Sequence, residues 1–418
     1  MRSRSTLKNA IPDRLRSKTS LWIALGLLVC ALAAYILYAR VLFPTLGQEA
    51  RTPGEALRPV RFFHPDIRDD LSLRSLENAL RKNLDYLSRL DPDRLFPYGD
   101  RSVPCRRVVE TQESFLALIR ERPSPEVLNR TIEEDYLLLR AAGRKGNRRV
   151  LFTGYFEPVY PGSLTPDDTH RHPLYRRPDD LVRIDLAPFG EAFRGKRITA
   201  RIEGQKVLPY YSRSEIEQEG ALEGRDLELA WLRDPVDVAF LHIQGSGRIK
   251  LPDGSALSVG YAASNGRPYR SIGRYLIERS LLTREEMSMQ AIRRFLATHP
   301  DKVQEVLNHN PSYVFFSPKA NGPFGNINVQ LTPGRSVALD DDLFPKGALC
   351  FVSAKKPVVE SGRILEWVDL KRFMVNQDTG GAIRGAGRAD IFWGRGLYAE
   401  TAAGHMKHEG DLYVLLKK

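Results

Sequence analysis

The chain has 418 residues, 42% hydrophobic and 27% charged, a composition that excludes a disordered polymer and leaves room for two domains with full cores. Its formal charge is +12, but six cations against Asp13 place +5 of it before residue 20, and the remainder is mildly basic. No zinc-ligand spacing, aromatic RNA-binding signature or basic helix accompanies that charge, so nucleic acid is not an expected partner.

After the basic segment 1–20, Leu21 to Ala39 form 19 consecutive uncharged residues, LWIALGLLVCALAAYILYA. As a helix they would reach about 28 Å, close to the hydrocarbon thickness of a bilayer. Residues 21–43 are therefore expected to be a transmembrane signal anchor, with the basic segment cytoplasmic and the bulk of the chain on the other, periplasmic side. A cleaved signal peptide is the competing reading; its apolar core is usually shorter and ends at a small-residue site. Residues 44–60 carry three prolines and read as a stalk.

Leu73, Leu76, Leu80, Leu84, Leu87 and Leu90 recur at three- and four-residue steps, predicting an amphipathic helix. Phe115 to Ile119, and Val127, Leu128, Ile132, Tyr136 and Leu139, extend the helical signal to about Ala142. From Arg149 the period changes. Residues 150–155, 198–202, 238–243 and 256–261 are short β-branched or aromatic runs bounded by Gly, Pro and Asp, as in a barrel or sandwich. Thr283 and Glu286 make a capping-box pair ahead of a helix that His299-Pro300 stops, and a second short helix runs to about Asn308. Strand character returns at 310–316, 347–353, 364–375, 391–393 and 412–416. That order of helices, strands, helices and strands fits one domain inserted into another.

Three cysteines are too few for a disulfide framework; Cys105 and Cys350 either pair across 245 residues or are buried free thiols. Neither CxxC nor HExxH is present, so no metal and no cofactor is expected.

Chemistry concentrates in Gln377 to Gly394, QDTGGAIRGAGRADIFWG, which holds Asp378 and Asp390 among glycines and apolar residues, with Asp340 to Asp342 upstream. Asp378 ahead of Thr379-Gly380-Gly381 equally suits an Asx-turn, as does Asp342 before its turn. Asp390, between Ala389 and Ile391-Phe392-Trp393, should have its pKa raised by desolvation, which suits a proton donor near neutral pH. FTGYFEPVY (152–160), FLHIQGSGRI (240–249) and GYAASNGRPYRSIGRYL (from Gly260) place Thr153, Gln244, Ser246, Asn265 and Arg270 beside the rings of Tyr155, Tyr261 and Tyr269. Gly154 and its fellow glycines would let a ligand approach the backbone. Aromatic faces with hydroxyl and amide donors suit sugar rings, although each tyrosine alone would serve equally as a half-buried strand residue.

Together FTGYFEPVY, HIQGSGRI, NGRPYRSIGRYLI, EEMSMQAIRRF, NPSYVFF and QDTGGAIRGAGRADIFWG resemble, in order from residue 152 to about 417, the membrane-bound lytic murein transglycosylase A family. That family's C-terminal module is named for three aspartates. The resemblance implies a mainly β fold with a helical N-terminal region: a double-psi β-barrel domain (61–157 with 300–418) interrupted by an inserted β-barrel domain (158–299), with glycan in the groove between. It selects Asp340, five residues before a Pro-x-Gly turn, with Asp378 and Asp390, the last as catalytic acid/base. It implies substrate contacts at Thr153, Gly154, Tyr155, Gln244, Ser246, Tyr269, Arg270, Gly381 and Ala382. The implied reaction is non-hydrolytic cleavage of the β-1,4 bond between N-acetylmuramic acid and N-acetylglucosamine, leaving 1,6-anhydromuramoyl ends. The implied partners are peptidoglycan strands, the membrane and cell-wall synthesis or division proteins, with the chain itself a monomer. Relatives are often lipoproteins, so a spanning helix would be a departure.

Three other readings remain at this level. Asp378-Thr379-Gly380 resembles one aspartic-peptidase loop, but a peptidase needs two. A glycoside hydrolase would use Asp390 as acid and a second carboxylate as base. A non-catalytic glycan-binding anchor would need no acid in an apolar frame.

Overall fold

Strands from both ends of the sequence meet in one sheet. The computed structural model describes residues 49–60, 64–320 and 322–418. In chain order its strands are β1 (Leu57–Pro59), β2 (Leu95–Tyr98), β3 (Arg101–Pro104), β4 (Tyr136–Ala141), β5 (Val150–Tyr155), β6 (Val159–Ser163), β7 (His172–Tyr175), β8 (Val182–Asp185), β9 (Arg197–Glu203), β10 (Lys206–Pro209), β11 (Glu228–Leu232), β12 (Ser246–Lys250), β13 (Ala256–Ser264), β14 (Val314–Lys319), β15 (Ser336–Ala338), β16 (Leu349–Glu360), β17 (Arg363–Asp378), β18 (Arg388–Phe392) and β19 (His408–Lys417).

The largest sheet runs β1-β4-β19-β16-β17-β15-β18-β5. Because β5 also pairs with β19, six strands close into a ring and β1 and β4 extend it beyond β19. Within the ring, Leu349 to Val352 of β16 and Phe373 to Gln377 of β17 are buried residue after residue, on both faces of the sheet. Cys350, Val352 and Met374 join the core with Phe152, Val337 and Ile391. The alternate residues Leu349, Phe351, Phe373 and Val375 pack under the helices Leu73–Leu87 and Cys105–Arg120. The leucine stripe supplies that contact through Leu76 and Leu80, while Leu87 packs into the other core. Just before β15, buried Arg335 donates to both carboxylate oxygens of Asp69 (2.6 and 2.8 Å) and to the carbonyls of Leu71, Ser72 and Phe373. Those bonds strap the segment after residue 66 to the ring and hold the start of β15.

Between β5 and β15 the chain leaves this sheet and builds others. A six-stranded sheet runs β14-β13-β12-β6-β11-β7, and a bridge between Arg176 and Phe316 brings its edges together. Strands β8, β9 and β10 form a separate three-stranded sheet. Helices Pro235–Gln244, Ile272–Glu278, Met289–Thr298 and Val303–Asn308 share a core that includes Phe240, Leu276, Phe295 and Leu307.

Several expectations are corrected. No helix among the described residues is long and apolar enough to cross a membrane, so the transmembrane helix in the expected fold is not supported; residues 21–43, where it was expected, lie outside the described residues. Residues 238–243 belong to the helix Pro235–Gln244, not to a strand. The Asp234 side chain accepts the Val236 N–H, Pro235 starts the helix, and Gly245 at φ 75° ends it, so capping overrides the β-branched run. The helix that was to reach Ala142 stops at Asp135; Tyr136–Ala141 is β4, because pairing to β1 and β19 outweighs leucine's helical preference. Thr283 and Glu286 do bond reciprocally, but Ser288 caps the helix Met289–Thr298. Cys105 and Cys350 are both buried and free, which decides between the two readings left open.

Candidate active site

The short strand β15 brings the two aspartates together. Ala338 pairs with Asp378 of β17 on one side and with Asp390 of β18 on the other, so their backbones are two strand spacings apart, about 10 Å. Strand alternation then fixes what each side chain faces. In β18, Ala389 and Ile391 have no exposed surface, which turns Arg388, Asp390 and Phe392 to the other side. Parallel pairing with β5 sets Asp390 against Thr153 and Phe392 against Tyr155. Phe152 lies in the core, so Thr153 and Tyr155 share the outer face with both carboxylates.

The carboxylates differ in what they hold. Asp378 accepts from the Tyr155 hydroxyl at Oδ2 (2.9 Å) and from the Asn326 and Thr379 N–H groups at Oδ1 (3.0 and 2.9 Å). Asp390 accepts only from the Thr153 hydroxyl, at Oδ1 (2.6 Å), and its Oδ2 has no hydrogen-bond partner among the described residues. Burial pushes both carboxyls up to about 6. Against burial, Tyr155, Thr379 and Asn326 favour the Asp378 carboxylate, while Thr153 and the Arg388 charge favour that of Asp390. The two differ in their donors: three reach Asp378 and one reaches Asp390, while the Asp390 charge works against those three and raises the Asp378 carboxyl. Burial and the Asp378 charge raise the Tyr155 phenol well above its usual range, so it remains a donor. Both aspartates are half-buried, as a group that must meet a substrate has to be.

Asp340 is not part of this pair. It is buried, accepts the Gly385 N–H at Oδ2 (2.6 Å) and the Asp342 N–H at Oδ1 (3.2 Å), and lies 3.7 Å from Arg384. Its place is to tie the 379–387 turn to the end of β15. Asp340, Asp341 and Asp342 bring carboxylate oxygens within 4.8 Å of one another, but Asp340 is committed to N–H groups and Asp341 pairs with Lys346 at 2.9 Å. That set does not offer three free ligands for a cation.

The other expected contacts divide. Tyr269 is partly exposed and approaches Gly381; burial, with a smaller push from the Asp390 charge, raises its phenol. Gly381 and Ala382 are exposed on the turn after β17, and Arg270 is exposed beyond Tyr269. Gln244 accepts the Phe156 N–H (3.0 Å), and Ser246 is buried at the start of β12, so both lie at the joint where the chain passes between sheets. Gly154 faces the core: a Cβ there would lie 2.5 Å from the Trp393 ring nitrogen. Asn326 and Arg388 were not singled out by sequence. The signal for Asn326 was the preceding glycine, since a Cβ on Gly325 would lie 2.1 Å from the Gln377 carbonyl oxygen; only glycine lets this loop deliver the next N–H to Asp378.

Comparison with known proteins completes the site. Residues 151–317 match the MltA specific insert domain, and residues 335–416 match the 3D domain. Membrane-bound lytic murein transglycosylase A of Escherichia coli K12 is 36% identical over 280 residues, 66% of this chain and 68% of that protein. The Vibrio cholerae protein of the same name is 35% identical over 275 residues, 65% of this chain and 66% of its own length. Among solved structures, a membrane-bound lytic murein transglycosylase from Agrobacterium tumefaciens superposes with TM-score 0.70 at 34% identity, covering 87% of this chain and 98% of that one. The E. coli protein with bound chitohexaose superposes with TM-score 0.64 at 27% identity, covering 89% and 96%.

Proposed function

Because the chain belongs to the membrane-bound lytic murein transglycosylase A family and so is a lytic murein transglycosylase, we propose that Asp390 is its acid/base and that its products carry 1,6-anhydromuramoyl ends. One observation carries this assignment. Asp390 alone of the pair has an unpartnered carboxylate oxygen on a partly open face. As an acid it protonates the glycosidic oxygen; as the resulting carboxylate it removes the proton of the sugar's own C6 hydroxyl, which closes on C1. That attack is intramolecular, so positioning stands in for an activated water. A hydrolase would need a second carboxylate free to hold water, and the three donors on Asp378 argue against that use. Asp378 instead supports the site, stabilising positive charge that develops at the sugar.

We place peptidoglycan glycan in the groove that Thr153, Tyr155, Tyr269, Gly381 and Ala382 border, with residues 61–157 and 300–418 as the catalytic domain and 158–299 as the domain opposite. The structure solved with chitohexaose supports a polysaccharide ligand for this fold. Relatives are named membrane-bound, which supports action at the cell wall beside a membrane. Mass spectrometry of murein digested by the purified chain tests the reaction. Products lighter by one water than reducing muropeptides are expected; reducing ends would overturn it.

A further inference from the structure

A cavity of about 670 Å³ lies away from the carboxylates. It is walled by the segment before and within the helix Met289–Thr298, by the start of β17 and by the turn into β19. Trp367 is 11 residues from Asp378 in the same strand, up to about 36 Å along it. The lining is both aromatic and charged. Trp367 is half-buried against the His408 ring, with centroids 3.9 Å apart. Around it stand the exposed cations Arg284, Arg294 and Lys407 and the exposed carboxylates Glu285 and Glu366. None of these five makes a salt bridge or side-chain hydrogen bond among the described residues.

Unpaired charges of both signs around one aromatic wall match a ligand that carries carboxylates and an amine on a short chain. A lone anion would meet these two glutamates and Glu286, which also lines the cavity, and a neutral sugar would leave the five unpaired charges unanswered. We propose that this cavity is an accessory site for the zwitterionic stem peptides that peptidoglycan bears. The inference rests on the murein reading of the acid site, but it concerns a different part of the molecule. Because none of the residues that border the groove lines it, the cavity takes a peptide from elsewhere in the network, not the one on the sugar being cut. Its effect is to retain the enzyme on cross-linked murein while the groove works on a strand.

The test uses the full chain and a synthetic, sugar-free peptide, L-Ala-γ-D-Glu-meso-diaminopimelate-D-Ala, titrated by isothermal calorimetry. Measurable binding is expected in the wild type and, unchanged, in Asp390→Asn. It should fall at least tenfold in Arg294→Glu with Lys407→Glu, whose exposed positions spare the fold, and with a peptide whose carboxylates are amidated. The double variant should keep its rate on short soluble glycans and lose retention on intact sacculi. No binding at millimolar peptide, or equal binding by the double variant, overturns the proposal. Binding that persists while digestion yields reducing ends would sink the anhydro reading and leave this site standing.

Discussion

The closed ring and the three-stranded sheet β8–β10 are built by one chain on opposite terms. In the ring, Val337, Leu339, Met374 and Ile391 have no exposed surface, and each strand is paired on both sides. In β8–β10, Phe189 of the connecting turn is 71% exposed, and Ile202 and Val207, cross-strand partners, are 58% and 52% exposed. The carboxylates sit in the first setting. A proton donor must meet its substrate at a fixed distance, and a backbone held from two sides supplies that fixity where a surface sheet does not.

The comparison breaks most visibly at the acid. Asp390→Asn should lower release of anhydro products by about 10³-fold or more while murein binding persists; a variant retaining a tenth of the wild-type rate would refute the assignment. The same change has a signature in stability. Burial raises the folded pKa of Asp390 above that of an unfolded aspartate, so its contribution is favourable at low pH and is lost as pH rises through about 6. The asparagine variant should therefore melt higher than wild type at pH 7.5 and match it near pH 4, as followed by circular dichroism.

Smaller effects sharpen the ranking. Asp378→Asn should cost about 100-fold and Tyr155→Phe about tenfold in kcat, with KM nearly unchanged, because a charged hydrogen bond at the site is lost and not a binding contact. Equal losses for Asp378→Asn and Asp390→Asn in steady-state assays would contradict the unequal roles. Wild-type activity should fall above about pH 6 as Asp390 deprotonates. Thr153 stabilises the carboxylate, so Thr153→Val should move that descending limb upward, and a pH profile shifted down would show the opposite role. Last, Phe189→Ala in the turn beside β9 should change stability by less than about 0.5 kcal/mol and leave kcat alone; a tenfold loss would tie that sheet to catalysis.

Part of this was legible before any coordinates. Asp390 stood out because an acid between alanine and an Ile-Phe-Trp run has few structural uses, and its half-buried setting agrees with that environment. The leucine stripe at 73–87 was equally plain, since one of its faces meets the ring and the other meets water. The helix Pro235–Gln244 was not, because an element buried nearly all round shows no period. Its caps, Asp234-Pro235 and Gly245, flank a run whose β-branched and aromatic residues read as a strand. Asn326 was hidden for another reason: it acts through a main-chain N–H, which every residue but proline offers. Asp340 belonged to the aspartate pattern, yet pattern alone does not distinguish an acid that reacts from one that fastens a turn.

Ala338 has a methyl side chain and no chemistry, yet it is the cross-strand partner of both aspartates. The gap between the two carboxylates is thus a gauge ruled in main-chain hydrogen bonds, with Arg335 clamping its zero mark three residues earlier. A groove side chain can be replaced without altering that spacing, because none of them sets it.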